Sequence, residues 1–477
     1  MKNELSLMGS IFNNSLGALF LQQENFKRGL AFAELMNAAT APFMDAEKEI
    51  NPEQFKLFLM NLSLGNTGMR RGFKSLSNLG GKLWGEQMLA FWRGELLEET
   101  DKHLQIAHAL TKGYPEAIQS IKGEFGFNYN YGRDYPKVAE TDRFWLIQVM
   151  PSKPGIEVDN KKKPIFIVPP YVLGGDILTF LPGHNKSYAH AFANQGIPTY
   201  FRLIKPIADN EAVRTMKIED DVSDNTIFLK AIKKKHKQPV TVNGYCQGGL
   251  MTAVGFMTGK FKGLADKHIT CVAPMDGTRS PGLSRFLSKL PERFRNLDYG
   301  KVEKSGDFVA DAKLMTLVYK LSSIADDFPT ITMVNDYLML KSLFEKGKGE
   351  IKFSPSALGI NYWLNERRVD IPFFITQLSF ESYTKPVKAD GILPFSVFGK
   401  QISFKYFKEQ NVPWLICIGD SDELVEEEAA LAPVGIAGNV EVARFPGGHV
   451  KIATSWSDPN SAFPLDKPGR PIHFHLR

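Results

Sequence analysis

The chain has 477 residues, of which 43% are apolar and 23% charged, and its net charge is +6. These proportions are ordinary for a globular protein and exclude long-range disorder. The positive balance is too mild to argue for nucleic acid, although it suits an anionic substrate.

Three cysteines (Cys246, Cys271 and Cys417) form no C-x-x-C pair, which excludes a disulfide scaffold and fits a reducing compartment. The opening "MKNELSLMGSIFNNSLGALFLQQ" does not read as an export signal. Glu4 sits beside the only early lysine, and asparagines break the apolar run. No stretch of about 18 apolar residues appears, so the expected location is the cytoplasm.

Residues 1–125 read as a helical region. "QMLAFWRGELLEETDKHLQIAHAL" places apolar residues at three- and four-residue intervals, with charges between them. From 126 the texture becomes strand-like, in "FWLIQVM" and "KKKPIFIVPPY". The segments "SYAHAFANQGIPTYFRLI" and "IFLKAIKKKHKQPVTVNGY" then each run from helix to strand. Strands alternating with helices predict βαβ units and a mostly parallel sheet over 126–285. Residues 286–400, rich in Phe, Tyr and Met, lose that rhythm and read as an inserted cap. The rhythm resumes over 401–477 in "VPWLICIGDSDELV" and "NVEVARFPGGHV".

"VNGYCQGGL" is the stretch that carries chemistry. It has the form of a G-x-S-x-G nucleophile elbow with Cys246 in place of serine. Small neighbours let strand and helix approach on either side of a strained residue. The N–H of Gln247, opening the helix, can face a developing oxyanion. The partners of such a nucleophile follow in the order acid, then histidine. Asp420 or Asp422, past the strand "WLICIG", supplies the acid. His449 in "FPGGHV" supplies the base. A buried structural cysteine and ordinary loop residues are the competing readings of these positions. No H-x-x-x-H or paired-cysteine metal site, Walker loop or G-x-G-x-x-G motif appears, and no cofactor or metal is called for.

From about 160 to 455 the chain resembles the polyhydroxyalkanoate synthases, cysteine-dependent members of the α/β-hydrolase superfamily. The likeness rests on "PIFIVPPYVLGGDILTFLPGHNKSYAHAFANQGIPTYF", "GYCQGG", "INYWLNERRVDIP", "LPFSVFGKQISFKYFKEQNVPWLICIGDSDELV" and "GGHV". Where the family carries a Trp–Asn–Pro signature, this chain has "FRLIKPI", and "NERR" stands in place of its Asp-x-Thr element. The resemblance implies an α/β-hydrolase fold with a cap and a Cys246–Asp422–His449 triad. It also implies an oxyanion hole from the backbone of Gln247 and Val172, with Trp363 beside the substrate channel.

The implied activity is polymerisation of 3-hydroxyacyl-CoA through an acyl-cysteine, with release of CoA. Its partners would be the growing polyester or its granule surface, a second copy in a homodimer, and in some members an accessory synthase subunit. A thioesterase or intracellular polyester depolymerase would use the same triad with water as acceptor. The basic and aromatic segment "NTGMRRGFKSLSNLGGKLWGEQMLAFWRGELL" raises a third reading, a protein that sits on a granule or membrane surface.

Overall fold

Proline at the first helical position loses only an N–H that the helix would leave unpaired, and Pro52 opens helix α1 (Pro52–Arg93) in this way. The computed structural model describes residues 52–129, 135–289, 300–303, 305–310, 312, 329–456, 458, 461 and 463–477. The N-terminal stretch considered above as an export signal lies outside them. Six glycines in α1 each cost about 1 kcal/mol relative to alanine, so packing has to hold the helix together. Its stripe Gly68, Gly72, Leu76, Leu79 and Leu83 is buried or half-buried. Helix α2 (Leu96–His108) follows.

The sheet is built from β1 (Lys137–Glu140), β2 (Phe144–Val149), β3 (Ile165–Val168), β4 (Thr199–Ile204), β5 (Val240–Tyr245), β6 (Ala265–Cys271), β7 (Trp414–Gly419) and β8 (Val440–Phe445). Their order is 1-2-4-3-5-6-7-8. β2 runs antiparallel to its neighbours, and β3 to β8 pair in parallel. Helices α3 (Ile218–His236) and α4 (Gln247–Met257) flank β5 in sequence. This is the α/β-hydrolase fold. Its central strands are buried on both faces, β3, β5 and β7 along their whole length, which is why they read as unbroken apolar runs rather than alternating ones.

The Arg202–Asp221 ion pair is fully buried inside the sheet unit. Arg202 of β4 is 2% exposed, contacts Asp221 of α3 and donates to Asn225. Its guanidinium stacks on the Phe144 and Tyr171 rings, and the Tyr171 hydroxyl also reaches Asp221. A buried ion pair adds little net stability, but removing one member strands the other charge. The network therefore holds strand β4, helix α3 and the loop after β3 in one arrangement.

Contacts divide the described chain into two units. One holds the residues up to Ile121 with those from 329 to Tyr362; the other holds Lys122 onward and Trp363–Arg477. The segment read from sequence as one cap, 286–400, is thus shared between them. The reason is an apolar face on α5 (Pro329–Lys346), where Met333, Val334, Tyr337 and Leu340 pack with Leu79, Ile106 and Leu110. Helix α6 (Pro355–Glu366) follows, and α7 (Phe373–Thr384) belongs to the sheet unit. Among the described residues no helix is long and apolar enough to cross a membrane.

Candidate active site

Strand β5 ends at Tyr245 and α4 begins at Gln247, leaving Cys246 alone at the turn with φ 52° and ψ −124°. A positive φ in a non-glycine residue is strained, and the neighbours of Cys246 are small for a measurable reason. A Cβ on Gly244 would lie 2.4 Å from Thr252 Oγ1, and one on Gly248 would lie 2.4 Å from the Val168 carbonyl oxygen. The helix thus starts against the end of β3, with its N-terminal dipole at the cysteine. Cys246 is half-buried, whereas Cys271 and Cys417 are fully buried. The Cys246 N–H donates to the Cys271 carbonyl (2.8 Å), which fixes the elbow on β6.

The structure brings the three sequence-selected residues together. His449 Nδ1 lies 2.8 Å from Asp422 Oδ2, and both side chains are buried. The other carboxylate oxygen accepts the N–H groups of Leu424 (2.9 Å) and Val425 (3.0 Å), so Asp422 is held as an acceptor. Burial works against charge on His449, but Asp422 and Cys246 outweigh it and raise the imidazole well above its ordinary pKa. The imidazole of His449 is therefore disposed to hold a proton. Its Nε2 is buried and finds no hydrogen-bond partner among the described residues. Asp420, the alternative acid, is exposed and lies 3.5 Å from Arg444, so of the two it is Asp422 that pairs with His449.

Two contacts at this site are invisible to sequence reasoning. The Tyr245 hydroxyl donates to the His449 carbonyl (2.5 Å), and the two rings meet edge to face. In the sequence Tyr245 stands at the variable position of the elbow, which carries no signal of this contact. The second contact concerns the two backbone groups expected from the sequence to face an oxyanion. As first residue of α4, Gln247 has a backbone N–H with no partner inside the helix. Val172 lies in the loop after β3, but its N–H points at the Gln247 side-chain oxygen, 3.4 Å away. Trp363 donates its indole N–H to the Leu173 carbonyl (3.0 Å), and Arg367 pairs with Asp176. The structure thus places Trp363 as a brace on the loop that carries Val172.

Among the described residues one further group could hold a cation by its donor types, Glu86, Glu99 and His103. Lys341 already contacts Glu86, and Lys102 lies 3.1 Å from Glu99. These ammonium groups neutralise both carboxylates, so the group is best described as an ion-pair cluster within the helical unit.

No family model and no curated protein matches the sequence. Among solved structures, the chain is similar to a soluble variant of monoglyceride lipase from Saccharomyces cerevisiae at 11% identity and a TM-score of 0.43. That match covers 73% of this chain and 98% of the lipase. Naproxen esterase from Bacillus subtilis matches at 12% identity and 0.35, over 72% and 92% of the two chains. An esterase from a Rhodococcus species matches at 10% and 0.36, over 68% and 94%. At this distance the matches say nothing about the substrate of the present chain; the strand order and the Cys246 elbow identify its fold.

Proposed function

We propose that the chain is a cysteine-dependent acyltransferase that builds polyhydroxyalkanoate from 3-hydroxyacyl-CoA. What supports this reading is a thiol at the elbow that acts electrostatically on His449, whose ring is in turn held by Asp422. Cys246 sulfur attacks the thioester carbonyl while its proton passes to His449. The tetrahedral oxyanion is held by the N–H groups of Gln247 and Val172. Its collapse breaks the bond from carbon to CoA sulfur, and the departing thiolate takes the proton from His449. The hydroxyl of a second 3-hydroxyacyl unit then attacks the acyl-cysteine and gives its proton to His449. An ester forms and Cys246 is released. Sulfur suits transfer because exchanging one thioester for another is nearly isoenergetic, so the bound acyl group stays activated.

The deciding experiment is incubation with 3-hydroxybutyryl-CoA, counting CoA and sizing the acyl product. CoA release with insoluble polyester is expected. Equal release that ends in free 3-hydroxybutyrate would make the protein a hydrolase working through the same triad.

Under this reading the insoluble product meets the outer face of α1. Phe73 (67% exposed), Trp84 (71%) and Trp92 (78%) lie along it with Met69 and Met88. Exposed Arg70, Lys74, Lys82 and Arg93 are interleaved with them. Bulky apolar groups among cations suit an apolar surface with an anionic coat. Replacing both Trp84 and Trp92 with glutamate is expected to lower co-sedimentation with polyester granules about tenfold, by the loss of two large apolar anchors. CoA release from soluble substrate should change less than about twofold, since α1 lies outside the triad. Loss of a dimer, with granule binding intact, would reassign this face to contact between copies.

A further inference from the structure

Gln247 has a second task beyond its backbone N–H. The residue is 4% exposed, and its side chain bridges the loop after β3 and α7. The side-chain oxygen accepts the N–H of Tyr171 (3.2 Å) and faces the N–H of Val172 (3.4 Å). The side-chain nitrogen donates to the Ser379 hydroxyl on α7. Ser379 is itself 5% exposed, and its carbonyl accepts the Ser382 hydroxyl (2.7 Å). One carboxamide thus joins the first residue of the nucleophile helix, the loop with the second oxyanion donor, and a helix 132 residues further along the chain.

We propose that Gln247 is a positioning residue, whose carboxamide, anchored by Ser379, sets the Val172 N–H in line for the oxyanion formed at Cys246. This inference rests on the acyl-cysteine chemistry proposed above, but not on the polymer as product.

The distances divide the work between the two donors. The Tyr171 contact is the shorter, so it seats the carboxamide. The Val172 contact lies beyond the usual 2.7–3.2 Å range for N–H···O bonds and is weak. A weak neutral contact is readily exchanged for a short, charge-assisted bond when an oxyanion appears. Until then the carboxamide spares two N–H groups near the protein interior from being left unpaired, which costs about 1–3 kcal/mol per group. Ser379 is needed because a carboxamide held only by its oxygen can rotate away. Holding its nitrogen on α7 fixes the plane of the group, and with it the loop. Gly248 allows the arrangement, since any side chain there would strike the Val168 and Pro169 carbonyls and push α4 off the loop. Trp363 and Arg367 brace the far end of the loop, at Leu173 and Asp176.

The test is the pre-steady-state burst of nitrophenolate from 4-nitrophenyl butyrate, which reports acylation of Cys246 alone. Gln247→Met keeps the length of the side chain and removes its hydrogen bonds. It is expected to slow the burst about 10- to 100-fold, somewhat less than the loss of a whole oxyanion donor. The amplitude should stay at one per chain and KM within about twofold, because the group acts on the transition state. Ser379→Ala should slow the burst about tenfold, and Ser379→Thr, which keeps the hydroxyl, should restore it. The double variant should be no slower than Gln247→Met, because both changes cut one connection.

Burst rates within twofold of the unaltered protein for folded Gln247→Met would overturn the inference, as would fully additive losses in the double variant. If Gln247→Met does not fold, the Ser379 pair carries the same test. No burst from the unaltered protein would overturn the acyl-cysteine reading, and this inference with it. A normal burst that is insensitive to Gln247 and Ser379 would overturn this inference alone.

Discussion

Replacement of Cys246 by alanine is expected to abolish CoA release from 3-hydroxybutyryl-CoA, a fall of about 10⁶-fold, the scale seen when a covalent nucleophile is removed. The other two cysteines cannot substitute. Both are buried within the sheet, and burial raises the Cys417 thiol well above its ordinary pKa. The variant should remain folded. Alanine is smaller than cysteine, adopts the φ of 52° at similar cost, and keeps the N–H that donates to the Cys271 carbonyl. Thermal melting within a few degrees of the unaltered protein, with no acyl-enzyme detectable by mass, is the combined result to look for. Undiminished CoA release in this variant would leave the elbow without its assigned role.

Asp422→Asn is expected to have the next largest effect. The Asp422 carboxylate divides its oxygens, one accepting from Leu424 and Val425 and the other facing His449 Nδ1. Asparagine can keep the first pair of bonds with its oxygen, but its NH₂ group then faces Nδ1. That nitrogen becomes an acceptor and the ring proton moves to Nε2, the atom that has to receive the thiol proton. In serine enzymes the same change costs about 10⁴-fold. A thiol loses its proton more readily than a hydroxyl, so a fall of about 10²- to 10³-fold in kcat is expected here.

Asp422 also helps to raise the His449 pKa, so the sign of a second readout is defined. In Asp422→Asn the imidazole should lose its proton at lower pH, as followed by its ring resonances. Asp420→Asn, whose side chain is exposed beside Arg444, should change kcat less than about twofold. Equal damage from the two substitutions would remove Asp422 from the triad.

The elbow, the alternation of strand and helix, and the order of nucleophile, acid and histidine are all legible in the chain. Each is a local pattern. Glycines at Gly244 and Gly248 report a close approach of strand and helix, and "WLICIGD" reports a buried strand with an acid at its end. Other features needed the fold. Asp420 and Asp422 follow the same strand two residues apart, and only the path of the loop decides that one faces Arg444 and the other His449. The division of the segment 286–400 follows from the apolar face of α5 finding Leu79, Ile106 and Leu110, a match that periodicity in α5 alone does not reveal.

The tasks of Tyr245 and Gln247 were the least accessible, because their partners lie far away in sequence. Tyr245 binds the His449 carbonyl 204 residues on, and Gln247 joins the N–H of Tyr171, 76 residues before it, to Ser379. Local sequence determines backbone shape within a turn or two. Which distant groups meet a side chain is settled by strand order, and here that order lays the ends of β3, β5, β6, β7 and β8 side by side. The sequence by itself therefore determined the class of fold and singled out a candidate nucleophile, acid and base, whereas the positioning of those groups was decided only when the sheet brought their supports together.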